Sequence, residues 1–271
     1  MIYVVIGTKA QLIKMAPVMV ALRNQGLPYR FISTGQHRET TQDILDNFDL
    51  RGPDHTLYDG PDITSIPHMG LWGARLVWRV LRRREEVFGN KPEGIVLVHG
   101  DTLSTLLGAL MGRAAGLTVG HVESGLRSFN WLHPFPEEIT RLMTFGLTHV
   151  HFFPGACAVG NLQEYEGERV NAQHNTRGDA IRLTTEAIAT ENFSVPTPPL
   201  SIFSFYRSAN TFPPRTIARI FTTVEKATRQ VPVLFFLHKV AGRKLHRFLK
   251  PEPFKHVPGQ SAINATKLSG T

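Results

Sequence analysis

The sequence of 271 residues predicts an α/β fold: a Rossmann-like doubly wound parallel sheet, followed by the opening of a second α/β domain. Three observations predict it. Short apolar, β-branched runs alternate with helical stretches through residues 1–190. The runs read as near-continuous apolar stretches, as in strands buried on both faces, instead of alternating apolar with polar. Finally, four successive strand ends each bring an ionisable group next to a glycine.

Taken in order, the strand-like runs are residues 3–7, 29–34, 94–99, 118–122 and 149–153. Helical patterns lie between and after them, at residues 12–24, 40–48, 71–87, 103–115 and 136–147. Strands alternating with helices make a parallel sheet covered on both faces. Gly116 stands just past one helix as a C-cap. Pro196, Pro198 and Pro199 cluster in a linker near residues 192–200, so the first domain is residues 1–190. Beyond the linker, a strand (200–205), a helix (214–229) and a strand (233–237) begin a second domain, residues 200–271. Domains usually need about 100–150 residues. The second domain is therefore expected to be incomplete, with 233–237 as an unprotected edge or face and 251–271 irregular.

Composition narrows the function classes. With 42% hydrophobic and 19% charged residues, the chain reads as a soluble globular protein. Cys157 is the single cysteine, so no internal disulfide can form, which fits a reducing compartment. Met1 leads almost directly into a strand-like run, without the charged region and cleavage site of a signal peptide. The longest apolar runs are too short to span a bilayer. A cytoplasmic protein with no membrane partner is expected. The net charge of +8 is localised: residues 200–271 hold 12 Lys and Arg against 2 Asp and Glu. A tail-borne excess fits a solvated helix face, or a domain lacking its acidic complement, better than a nucleic-acid patch, so no nucleic-acid partner is expected. The sequence has no G-x-G-x-x-G, no P-loop and no His-Glu-x-x-His. Its histidines have no metal-ligand spacing, so neither metal nor cofactor is expected.

Open α/β sheets bind ligands beyond the carboxyl ends of their strands. Those ends carry Gly7-Thr8-Lys9-Ala10-Gln11 with Lys14, Gly35-Gln36-His37-Arg38-Glu39, Gly100-Asp101-Thr102, and Glu123-Ser124-Gly125-Leu126-Arg127. Chance would scatter such groups over both ends of the sheet, so this grouping reads as a functional crevice. Downstream lies Pro134-Phe135-Pro136-Glu137-Glu138-Ile139-Thr140-Arg141. Proline and paired carboxylates suit a helix N-terminus in their own right. Glu137 and Arg141 also share a helix face, so a carboxylate braced by a guanidinium could point into the crevice. Both readings stay open on these residues alone.

These motifs, in this order, resemble the non-hydrolysing UDP-N-acetylglucosamine 2-epimerases. The matching stretches are Gly7-Thr8 to Lys14-Met15-Ala16-Pro17, Thr34-Gly35-Gln36-His37-Arg38-Glu39, Gly100-Asp101-Thr102, His121-Val122-Glu123-Ser124-Gly125-Leu126-Arg127, and residues 134–141. The resemblance implies a GT-B-like two-domain architecture. It also implies a UDP-sugar substrate and interconversion of UDP-N-acetylglucosamine and UDP-N-acetylmannosamine, by elimination of UDP and readdition with inversion at C2. Carried over by position, it places catalytic carboxylates at Asp101, Glu123 and Glu137. Substrate contacts fall on Lys9, Lys14, Gln36, His37, Arg141, Arg207 and His238, and a homodimer is implied. Departures occur in the first turn, where Lys9, Ala10 and Gln11 replace arginine, proline and glutamate; Lys9 keeps the charge but not the bidentate fork. Resemblance fades after about residue 250. The alternative is a non-catalytic remnant or sugar-nucleotide-binding subunit of the same family.

Overall fold

A computed structural model of the chain describes residues 1–36, 42–60, 66–82, 84–90, 92–190, 201–205, 214–228, 233–237 and 265–268. The chain divides into two compact units, Met1–Glu191 and Asn192–Thr271. No helix among the described residues is long and apolar enough to cross a membrane.

The first unit holds β1 (Ile2–Ile6), α1 (Lys9–Asn24), β2 (Tyr29–Ser33), α2 (Gln42–Asn47), β3 (His55–Thr56), α3 (Ile66–Arg82), α4 (Arg84–Phe88), β4 (Ile95–His99) and α5 (Leu103–Ala114). It continues with β5 (Thr118–Val122), α6 (Glu137–Leu147), β6 (Val150–Phe153), α7 (Ala156–Val159), β7 (Glu168–Asn171) and α8 (Thr176–Thr190). The sheet order is β3-β2-β1-β4-β5-β6-β7, and every pairing in it is parallel. The order reverses between β1 and β4. That switch point opens a crevice at the carboxyl ends of the two strands, where this kind of sheet holds ligands.

Alternate strand residues feed two cores, because successive Cβ atoms point to opposite faces. Tyr3, Val5, Val96 and Val98 pack with Trp72, Leu76, Leu107 and Met111 on one face. Val4, Ile6, Phe31 and Leu97 pack with Leu12, Met15, Met19 and Leu45 on the other. Covering both faces favours near-continuous apolar strands, the pattern that β1 shows throughout and β4 shows up to His99. Two extensions lie beyond that pattern. The expected helix at 71–87 is two, α3 and α4. β7 and α8 were not foreseen, because Glu-Arg-Val-Asn carries almost no apolar signal and is largely exposed.

The second unit holds β8 (Ser201–Phe205), α9 (Pro214–Thr228), β9 (Val233–Leu237) and β10 (Ala265–Leu268), in a sheet of order β10-β9-β8. This corrects two expectations in part. β9 is not an edge: it pairs parallel with β8 and antiparallel with β10. And part of the supposedly irregular 251–271 stretch, Ala265–Leu268, supplies that second neighbour. The main-chain groups of β9 are thereby satisfied on both sides, as an interior strand requires.

Candidate active site

The crevice is built from the first turns after β1, β4 and β5. Gly7 allows the β1–α1 turn to approach α5 closely: a Cβ there would lie 1.9 Å from Ser104 Oγ and 2.3 Å from Thr34 Oγ1. Thr8 then caps α1, accepting from the Gln11 amide while Gln11 Oε1 accepts from the amides of Gly7 (3.0 Å) and Thr8 (3.2 Å). The same Gln11 reaches across the switch point. Its Nε2 donates to the His99 carbonyl (2.8 Å) and to Thr105 Oγ1 (2.9 Å). One buried amide thus ties the starts of α1 and α5 to the end of β4. Thr102 caps α5 in the same way.

At the end of β5, Glu123 takes a left-handed backbone (φ +65°). That region is sparsely populated by non-glycine residues and is tolerated where the surroundings enforce it. Here they do. The Gly100 amide donates to the Val122 carbonyl (3.1 Å), and the Ser124 amide to the Phe152 carbonyl (3.0 Å). His121 Nε2 lies 2.7 Å from the Gly100 carbonyl. A carbonyl only accepts, so His121 carries its proton on Nε2. His151 Nε2 donates by the same reasoning to the Glu166 carbonyl (3.0 Å), leaving Nδ1 to accept from Ser124 Oγ (2.9 Å). Burial pushes His121 down to about 3 and lowers His151 as well, so both are neutral braces at physiological pH.

The Glu123 carboxylate is nearly buried and engaged from three elements. Lys14 Nζ of α1 lies 2.6 Å from Oε2. His99 Nε2, at the end of β4, lies 3.2 Å from the same oxygen. Asn175 Nδ2, just before α8, donates to Oε1 at 2.7 Å. His99 approaches without hydrogen-bond alignment, and neither ring nitrogen has a hydrogen-bond partner among the described residues. Burial, seconded by the Lys14 ammonium, pushes its imidazole down to about 3. It is a neutral, desolvated wall behind the Lys14–Glu123 pair.

A second cluster joins the start of α5 to α6. The Arg141 guanidinium bridges Asp101 and Glu138, the latter at 2.5 Å. Glu138 is fully buried and also accepts from Arg127 Nε (2.5 Å) and the Ser128 amide (3.0 Å). Burial alone would raise its carboxyl. The bonds from Arg127 and Ser128 and the Arg141 charge outweigh that and hold it at about 2. Thr140 Oγ1 ties the Asp101 and Glu137 carbonyls together. Glu137 is half-buried, with an Oε2 that has no hydrogen-bond partner among the described residues. Among the described residues, no group of three or more His, Cys, Asp or Glu could hold a metal ion.

A sequence model of the family described as UDP-N-acetylglucosamine 2-epimerase matches residues 20–262. The chain belongs to this family. It is 34% identical over 183 residues to the UDP-N-acetylglucosamine 2-epimerase of Bacillus subtilis strain 168, covering 66% of this chain and 46% of that one. Against the enzyme of the same name from Methanococcus maripaludis, identity is 28% over 259 residues, covering 90% and 67%. The fold is that of the Neisseria meningitidis UDP-GlcNAc 2-epimerase solved with UDP-GlcNAc bound (TM-score 0.76, 24% identity, 92% of this chain and 69% of that one). The chain therefore spans about half the length of the Bacillus subtilis relative.

Within this epimerase-family chain, the structure brings together Lys14 with Glu123 and Asp101 with Arg141. Two of the expected substrate contacts are occupied elsewhere: Lys9 pairs with Asp43 of α2 (3.1 Å), and Gln36 Oε1 accepts from Ser104 Oγ (2.6 Å). The guanidinium of Arg141 is shared by Asp101 and Glu138, so the carboxylate it braces on α6 is Glu138 where the sequence suggested Glu137. Both positions lie on the Arg141 face of a helix, three and four residues away. His37, Arg207 and His238 lie outside the described residues. Sequence reasoning missed His99, Glu138 and Asn175. His99 reads as the last residue of an apolar strand, and Asn175 follows a strand too polar to be recognised.

Proposed function

We propose that this chain carries the catalytic half of a UDP-N-acetylglucosamine 2-epimerase, interconverting UDP-N-acetylglucosamine and UDP-N-acetylmannosamine. The observation that carries the reading is the pair of carboxylate clusters at the switch point of a family-matched sheet: Glu123 under Lys14, and Asp101 under Arg141. In the elimination, the C2–H bond breaks and its proton passes to a carboxylate. The C–H electron pair becomes the C1=C2 bond, and the C1–O bond breaks with its pair leaving on UDP. A weakly acidic sugar proton needs a positioned carboxylate, and the departing diphosphate needs cationic neighbours. Inversion at C2 returns the proton to the opposite face, so more than one carboxylate is required. Asp101, Glu123 and Glu137 fill those roles, with Lys14 and Arg141 supplying positive charge. Lys9, Gln36, His37, Arg207 and His238 are proposed as further substrate contacts, Lys9 and Gln36 after exchanging their present partners.

On this reading the partner is a UDP-sugar, the protein works as a cytoplasmic homodimer, and nucleic acid and membrane play no part. The test is incubation of the purified chain with UDP-N-acetylglucosamine, following UDP-N-acetylmannosamine and free UDP. Epimerisation, or release of UDP that Glu123→Gln abolishes, is the expected result. Because the chain spans 46% of its Bacillus subtilis relative, a second reading is a sugar-nucleotide-binding subunit. Binding of UDP-N-acetylglucosamine with neither product would favour it.

A further inference from the structure

The three contacts on Glu123 are unequal, and their distribution over the two oxygens has a chemical consequence. An ionised carboxylate offers about four lone-pair positions. On Oε2, Lys14 Nζ sits at 2.6 Å and His99 Nε2 at 3.2 Å. That oxygen faces an ammonium on one side and a buried ring on the other. On Oε1 there is one donor, Asn175 Nδ2 at 2.7 Å. Among the described residues no second donor reaches Oε1, which leaves it a lone pair that none of them fills.

Asn175 is itself fixed at its other end. Its Oδ1 accepts from the Arg177 amide (2.8 Å) and its carbonyl from the Gly178 amide (2.8 Å), which together start α8. One short side chain thus uses its oxygen to hold a helix and its nitrogen to hold the carboxylate. α8 packs on α1, the helix that carries Lys14. The two oxygens of Glu123 are accordingly gripped from two helices that rest on each other, and the left-handed backbone of Glu123 (φ +65°) fixes where its side chain begins.

We propose that Asn175 is a positioning residue for Glu123: by holding Oε1 it sets the plane of the carboxylate, so that the free lone pair of Oε1 is the one that exchanges a proton with C2 of the sugar. The proposal rests on the epimerase reading for its chemistry, and on the hydrogen bonds alone for the anchoring. Lys14 holds the opposite oxygen and neutralises charge, and neutral His99 blocks rotation of the carboxylate away from Lys14.

Two substitutions separate positioning from simple helix capping. Asn175→Asp keeps an acceptor for the Arg177 amide and is as good a cap as asparagine, but it replaces the donor to Oε1 with a second carboxylate. Asn175→Ser keeps a neutral cap that is too short to reach Glu123. Each full-length variant is given UDP-N-acetylglucosamine in D2O, and deuterium incorporation at C2 is followed with the melting temperature. The expected result is a fall in turnover of about 100-fold with KM nearly unchanged, because the reacting atom is misplaced while binding is kept. The melting temperature should stay put in Asn175→Ser and fall in Asn175→Asp, whose carboxylate lies against the nearly buried one of Glu123. Turnover equal to wild type in both variants would overturn the proposal and leave Asn175 as a cap. A substrate-free measurement runs beside it: the side-chain carboxyl ¹³C resonance of Glu123, assigned with Glu123→Gln, should move in Asn175→Ser. A stationary resonance would overturn the anchoring. A moving resonance in a chain whose wild type exchanges no deuterium would uphold the anchoring and defeat the epimerase reading.

Discussion

Glu123 and its neighbours concentrate the chemistry of the first unit in a few side chains. Lys14 lies 2.6 Å from a carboxylate that is almost completely buried, where a charge left alone is costly. Lys14→Met should therefore do two things: remove positive charge from the crevice and leave Glu123 without its partner. We expect the melting temperature to fall and any UDP release to drop by at least about 10²-fold; a calorimetric scan and a UDP assay check both. Lys14→Arg should recover stability but less activity, because a planar fork does not reproduce a point charge.

The histidines make a separate residue-scale prediction. His99 and His121 sit near 3 in the fold against an ordinary 6.5. Their folded values are depressed, so the unfolded chain binds the extra protons first as pH falls. The fold keeps its full margin above pH 6.5 and loses it progressively as pH falls from 6.5 toward about 3. Glu138 acts in the same direction over a lower window. Its carboxyl, lowered from 4.5 to about 2, contributes stability above pH 4.5 that fades toward 2. Urea unfolding at pH 7.5, 6.0 and 5.0 should show a steep loss of stability on acidification; a flat profile would mean that these rings are not held neutral in the fold.

Among the elements, the turn after β1 tolerates little change. A Cβ on Gly7 would meet Ser104 Oγ at 1.9 Å and Thr34 Oγ1 at 2.3 Å. Neither hydroxyl can step aside, since they are 2.8 Å from each other and Ser104 also donates to Gln36. Gly7→Ala should cost about 1–3 kcal/mol by overpacking and displace the start of α1, lowering the melting temperature. Gln11→Leu tests the neighbouring device. It would leave the buried amides of Gly7 and Thr8 without their side-chain acceptor, at about 1–3 kcal/mol per orphaned group. If Gln11→Leu unfolds at the wild-type urea midpoint, the amide does not carry the junction of α1, β4 and α5 as described. The elements most legible from sequence are those whose side chains face a core: β1, β2, β4, β5 and β6 all fall within a residue or two of their expected places. β3, β7 and α8 escaped because they lie at the rim of the sheet or on its surface. Their residues are selected by local hydrogen bonds, which leave no hydrophobic period in the sequence.

At the scale of the whole molecule, the two units differ in how far they stand alone. All seven strands of the large sheet, both faces of its core and the described site lie within Met1–Glu191. A chain ending at residue 191 should therefore fold and melt cooperatively, within a few degrees of the corresponding transition in the full chain. A fragment without a cooperative transition would show that the first unit depends on residues beyond 191. Family membership was legible from five spaced motifs. Those motifs lie at strand ends, where chemistry restricts residue choice more than packing does. Hydrophobic pattern and motif spacing by themselves determined the sheet, its parallel sense and the end at which the chemistry gathers, because burial on two faces and a binding crevice each restrict side-chain type along the chain. Only the tertiary structure decided that Glu138, rather than Glu137, shares Arg141 with Asp101, that Asn175 holds Glu123, and that β9 lies inside its sheet. These are pairings between residues distant in sequence, or between near-equivalent neighbours on one helical face. Which partner wins depends on distances of a few ångströms that residue type and spacing do not encode.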